Sequence, residues 1–102
     1  MAKPIEYLQG ARADFDESFN WYAERSAGAA IGFASAVDDA LELIVTDPNR
    51  FPSIHGGCAY CALKRYPYRV VFRDEPGRIV VVAIAHAKRR PGYWRARQER
   101  KP

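Results

Sequence analysis

The sequence predicts an α+β fold in which a helical hairpin packs on an antiparallel-rich sheet, and three observations lead there. Apolar residues recur at helical spacing from Ala11 to Asp47 and at alternate positions from Cys58 to His86. The turn-forming stretch Pro48-Asn49-Arg50-Phe51-Pro52 and His55-Gly56-Gly57 separates the two regimes. The run Ile79-Val80-Val81-Val82-Ala83-Ile84-Ala85 is apolar at every position, as a central strand covered on both faces must be.

Each element follows in order. Pro4 to Gln9 alternates and ends at Gly10, which predicts a short first strand with Ile5 and Tyr7 on one side and Glu6 and Leu8 on the other. From Ala11, the spacing of Phe15, Phe19 and Tyr22/Ala23 predicts a helix that leaves Asp14, Asp16, Glu17 and Glu24 in water. Ser26-Ala27-Gly28 breaks that period. A second helix is carried by Ala30, Phe33, Ala34, Val37, Leu41 and Ile44, with Asp38, Asp39 and Glu42 turned away. It must stop at Asp47, because a proline disfavours the α conformation in the residue before it.

Three strands follow: Cys58 to Arg65, Tyr68 to Arg73 and Arg78 to His86, the last two joined by the turn Asp74-Glu75-Pro76-Gly77. Across that turn Arg73 should face Arg78, and Arg69 should lie beside Ala83 or Ile84. The helices cover one face of the apolar strand, which leaves the other for a further layer such as a partner chain. A short basic tail, residues 87–102, closes the chain.

Composition narrows the function. With 102 residues, 48% hydrophobic and 13% aromatic, the chain has material for one core, so residues 1–102 are expected to be a single domain. Its longest uncharged apolar stretch, Ile79 to Ala87, is far short of the roughly 20 residues of a membrane helix. The N-terminal stretch lacks the basic start and apolar core of a signal peptide, so a cytoplasmic location is expected, where cysteines stay reduced. The net charge of +4 conceals a division: residues 1–47 carry 3 Lys/Arg against 9 Asp/Glu, and residues 48–102 carry 13 against 3. Asymmetry of this kind points to an anionic partner for the second part.

Two constellations carry chemistry. Cys58-Ala59-Tyr60-Cys61 with His55 and His86 supplies four potential zinc ligands. On a strand, however, positions three apart point to opposite faces and sit about 10 Å apart, too far to share a metal or a disulfide. No cofactor or metal is therefore expected. The second constellation is cationic and aromatic. Arg65, Arg69 and Arg73, with Lys88, Arg89, Arg90, Arg95, Arg97, Arg100 and Lys101 around Tyr93 and Trp94, form an expected surface for a nucleic acid or a protein partner. If the chain cleaves RNA, His86 would act as base or acid, Arg69 and Arg89 as the cations around the transition state, and Tyr93 as an acid if its pKa fell well below 10.

The order strand, helical hairpin, three strands resembles the RelE/ParE superfamily of bacterial toxins from type II toxin–antitoxin systems. The likeness spans nearly the whole chain and rests on Phe19-x-Trp21-Tyr22, Ala40-Leu41-x-x-Ile44, Pro48-x-Arg50-Phe51-Pro52, Tyr66-Pro67-Tyr68-Arg69-Val70-Val71-Phe72, and Ala83-x-Ala85-His86-x-Lys88-Arg89-x-Pro91-x-Tyr93-Trp94. It implies a small growth-inhibiting cytoplasmic protein neutralised by a cognate antitoxin. RelE-like members cut mRNA on the ribosome and ParE-like members poison DNA gyrase. In the cleavers the strand before the Phe-Pro-Tyr-type strand is basic, whereas here it reads Tyr60-Cys61-Ala62-Leu63 with charge only at Lys64 and Arg65. Arg69, Arg89 and Tyr93 fall at or near positions matching the cleavers' arginines and tyrosine. The balance favours a ParE-like toxin acting on gyrase over a RelE-like endonuclease or a non-toxic nucleic-acid-binding module.

Overall fold

A computed structural model describes residues 3–54 and 56–99; His55, Arg100 and Lys101 lie outside them. The chain runs through β1 (Ile5–Tyr7), α1 (Gln9–Ala23), α2 (Ala27–Thr46), a 3-10 turn (Pro48–Arg50), β2 (Ser53–Ile54), β3 (Cys58–Ala62), β4 (Tyr68–Glu75), β5 (Arg78–His86) and the short α3 (Arg95–Glu99). The strands form one sheet in the order β1-β5-β4-β3-β2. β1 lies parallel to β5 and every other pairing is antiparallel. No helix among the described residues is long and apolar enough to cross a membrane.

Local chemistry explains most boundaries, including those that depart from expectation. The side chain of Ser26 accepts the N–H of Ala29 at 3.1 Å, so α2 starts at Ala27, before its first core residue. α1 starts at Gln9, two residues earlier than its apolar period, because the Leu8 carbonyl accepts from Ala11 and Arg12. Gly10 is therefore not a strand terminator. It sits in the first turn of α1, where a Cβ would overlap the Arg97 side chain. The loop after α2 contains the unanticipated β2, whose two residues pair with Cys58 and Ala59. β3 ends at Ala62 rather than Arg65: the Leu63 N–H donates to Tyr68 at 2.9 Å, and Arg65 takes a left-handed conformation with φ 69.

The turn after β4 is tighter than expected. Asp74 and Glu75 belong to the strand and Glu75 faces Arg78, which leaves Pro76-Gly77 as the whole turn. Arg73 accordingly faces Val80, and Arg69 faces Ala85 rather than Ala83 or Ile84. Ion pairs lock this end: Lys3 with Asp74, Arg73 with Glu75, and Arg78 with both Glu75 and Glu6. Within β5, Val71 faces Ala83 and Phe72 faces Val81, so Val82 is the extra residue of a bulge.

The sheet has a core on each face. Phe33, Val37, Ile44, Val70, Phe72, Ile79, Val81 and Ile84 pack between the helices and the sheet. Each contributes about 1.5–3 kcal/mol by leaving water. Tyr22, Phe33, Tyr66 and Tyr68 join the hairpin to the start of β4 with ring centroids 5.0–6.3 Å apart. On the opposite face Cys58, Val71, Val80, Val82, Ala83 and Ala85 are covered by Trp94, with Tyr93 beside it. The expected further layer thus comes from the chain's own basic segment. Cys58 belongs to this face and Cys61 to the helix face, so both thiols are buried but separated by the sheet.

Candidate functional site

β1 stops at Tyr7, and the Leu8 N–H makes the last backbone bond to that edge of β5, at 3.0 Å to the Val81 carbonyl. Beyond it, Val82 and Ile84 still present a carbonyl and an N–H that need partners inside the protein. Side chains supply them. Asp14, one turn into α1, accepts the Ile84 N–H at 3.1 Å, and Arg97 Nη1 donates to the Val82 carbonyl at 3.1 Å. The two close on each other through Nη1 at 2.8 Å and Nη2 at 2.9 Å, a bidentate arginine–carboxylate pair. Tyr93 donates its hydroxyl to the same carboxylate at 3.0 Å, and Arg89 Nη1 stands 3.7 Å away.

Asp14, only 7% exposed, is thus the anchor that fastens residues 89–97 to α1 and β5. The helical period placed it in water, and the structure corrects that: its face is apolar-poor because it meets a sheet edge rather than a side-chain core. Burial, and then the Asp14 charge and hydrogen bond, drive the Tyr93 phenol well above its ordinary pKa. That is the opposite of what an acid role for Tyr93 requires. Arg97 is held still more firmly protonated, chiefly by its hydrogen bond to Asp14.

The residues singled out from the sequence divide into three groups. Trp94, at 5% exposure, and Arg97 hold the fold together instead of offering a surface. Arg73 is tied to Glu75 at the opposite end of the sheet. Arg65, Arg69, His86, Lys88, Arg89 and Arg90 gather at one end, because β4 runs antiparallel to both β3 and β5 and the connection 63–67 therefore lies beside the segment after His86. The Ala87 N–H donates to the Pro67 carbonyl at 2.7 Å and joins the two. Lys64, Arg65, Lys88, Arg89 and Arg90 are all exposed there.

Arg69 lies one position inward on the face away from the helices, its guanidinium 4.4 Å from the centre of the Tyr60 ring. Arg89 covers the Tyr93 ring at 3.8 Å. His86 sits on the other face: its ring meets Tyr68 edge-on at 4.9 Å, and its Nδ1 accepts the Lys88 N–H at 3.0 Å. The sheet therefore separates His86 from Arg69, and Tyr93 is committed to Asp14.

The helical hairpin packed on a five-stranded sheet is a fold also seen in a solved structure. A chain of the "Chromosomal ParDE TA system from P. aeruginosa" superposes with a TM-score of 0.73 at 19% identity, over 85% of this chain and 98% of that one. No curated protein matches the sequence. Residues 5–91 match the family described as "ParE toxin of type II toxin-antitoxin system, parDE", and the chain belongs to that family. It is a ParE-type toxin of a type II toxin–antitoxin system.

Proposed function

We propose that the protein arrests growth from the cytoplasm by binding DNA gyrase, and that a cognate antitoxin neutralises it. The family match supports the toxin reading, and one observation favours gyrase over mRNA. The groups that would move protons in RNA cleavage are not brought together: the Tyr93 hydroxyl is bound to Asp14, and His86, whose Nδ1 accepts the Lys88 N–H, lies across the sheet from Arg69. What remains at the cationic end is suited to binding rather than proton transfer, since arginine stays protonated throughout the physiological range.

Induction of the chain in a bacterial host separates the readings. Gyrase poisoning predicts the DNA-damage response and filamentous cells with intact mRNA. Rapid translational arrest with cut mRNAs would establish the endonuclease instead, and unaffected growth in several hosts would leave a nucleic-acid-binding module. The product of the neighbouring reading frame should co-purify with the chain and restore growth.

A further inference from the structure

Charge is distributed along the sheet in an uneven way. At the β4–β5 turn every cation described above has an acidic partner. At the other end Lys64, Arg65, Lys88 and Arg90 have none among the described residues, and Arg89 only shares Asp14 with the bidentate Arg97. Uncompensated cations crowded at one end repel one another, so this arrangement costs stability unless an anion covers it. We propose that this end is a binding site for the phosphate backbone of duplex DNA, read without regard to sequence.

The aromatic residues decide which polyanion fits. Single-stranded nucleic acid is held by bases stacked on exposed rings. Here the rings are committed: Tyr66 donates its hydroxyl to Ala29 at 3.0 Å and packs on Tyr22 and Phe33, Tyr68 lies between Phe33 and His86, and Tyr93 and Trp94 pack on the sheet. An acidic protein segment would be anchored by apolar side chains in a pocket between the charges. Lys64 and Arg65 do border a groove beside α2, but Asp39 and Glu42 line it with them and would repel such a segment, while Lys88, Arg89 and Arg90 stand exposed outside it. Lysines and arginines without a stacking platform suit regularly spaced phosphates. The site rests on the placement of these cations and committed rings and does not depend on the gyrase reading.

The test is fluorescence anisotropy of the full chain with a labelled 20-bp duplex of arbitrary sequence between 50 and 200 mM salt, without gyrase present. Binding should weaken with a log–log slope of about −4, from about 0.9 per phosphate engaged. Lys64→Gln/Arg65→Gln and Lys88→Gln/Arg90→Gln should each flatten that slope by nearly 2 and weaken binding at 50 mM salt by about tenfold or more. Lys3→Gln, which removes a charge from the opposite end, should leave the slope unchanged, and circular dichroism should show all variants folded. The proposal is overturned by no duplex binding at 50 mM salt, by paired variants that keep the parent slope, or by tighter binding of a single-stranded RNA or a poly-glutamate peptide than of the duplex. Because gyrase is absent from the assay, failure here leaves the gyrase reading standing.

Discussion

Replacing Asp14 with alanine should loosen the molecule at one definable place. The carboxylate accepts hydrogen bonds from Ile84, Tyr93 and twice from Arg97. Removing one partner of a fully buried ion pair costs about 3–5 kcal/mol. The Arg97 side chain keeps 22% of its exposure and can turn towards water, which reduces that cost, while the Ile84 N–H is left orphaned inside at about 1–3 kcal/mol. The two considerations together put the loss at about 3 kcal/mol, or a fall in Tm of roughly 10–20 °C for a domain of this size. Asp14→Asn retains an acceptor for Ile84 but meets Arg97 without charge, and should lose about half as much.

Denaturation followed by circular dichroism measures the total, and Trp94 fluorescence localises it. In a Trp21→Phe background the buried Trp94 is the sole tryptophan. Its emission in Asp14→Ala should move to the red and become quenchable by iodide before the helices melt. A denaturation midpoint matching the parent, with Trp94 still protected, would show that residues 89–97 are held by something other than Asp14.

Further outcomes follow from other contacts. Gly28→Ala, with only Ser26 Oγ at 3.7 Å, should stabilise α2 by about 0.5–1 kcal/mol, whereas Gly32→Ala should destabilise by about 1–3 kcal/mol, because its Cβ would overlap the Tyr66 hydroxyl and Tyr22 and Phe33 hold that ring in place; urea melts of the two measure the opposite signs. Glu75 is depressed below the ordinary carboxyl range by its hydrogen bonds to Arg78 and Arg73, so the stability it adds is present above about pH 4.3 and is lost as pH falls through its lowered value; Glu75→Gln should flatten the acid limb of a stability–pH curve. Tyr93 is shifted the other way, so folding stability should decline as pH rises past the ordinary phenol value of about 10, and Tyr93→Phe should remove one late-ionising phenol from an ultraviolet titration. In growth assays Arg89→Ala and Arg69→Ala should reduce toxicity in graded steps and His86→Ala should leave it nearly intact; abolition of toxicity by His86→Ala in a folded protein would favour RNA cleavage.

The elements that bury one face were legible because burial imposes a period. Phe33, Val37, Leu41 and Ile44 marked α2, and Val70, Phe72 and the unbroken 79–85 run marked the two central strands. The opposite faces of Cys58 and Cys61 followed from strand geometry alone. Asp14 was not legible. An aspartate on an amphipathic helix normally faces water, and its burial here depends on a β5 edge left bare by a three-residue β1 and on an arginine far along the chain. The same blindness to long-range pairing read Trp94 and Arg97 as surface. The turn was placed two residues too wide because Asp74-Glu75 looks like turn chemistry, whereas Lys3, Arg73 and Arg78 hold both acids in the strand.

The Asp14–Arg97 bond also sets an order of events during synthesis. The two residues stand 83 positions apart, so α1 and its carboxylate leave the ribosome long before the guanidinium that neutralises it. Until residue 97 has emerged from the ribosome, β5 has no cover for its Val82 carbonyl, Asp14 has no bidentate partner, and the Val71–Val82–Ala83 face lacks Trp94. A nascent chain in that state exposes apolar surface and an unfinished sheet edge, the features that make folding intermediates adhesive. The toxin therefore cannot complete its contacts before residue 97 emerges, and that interval is when a chaperone has the most surface to grip.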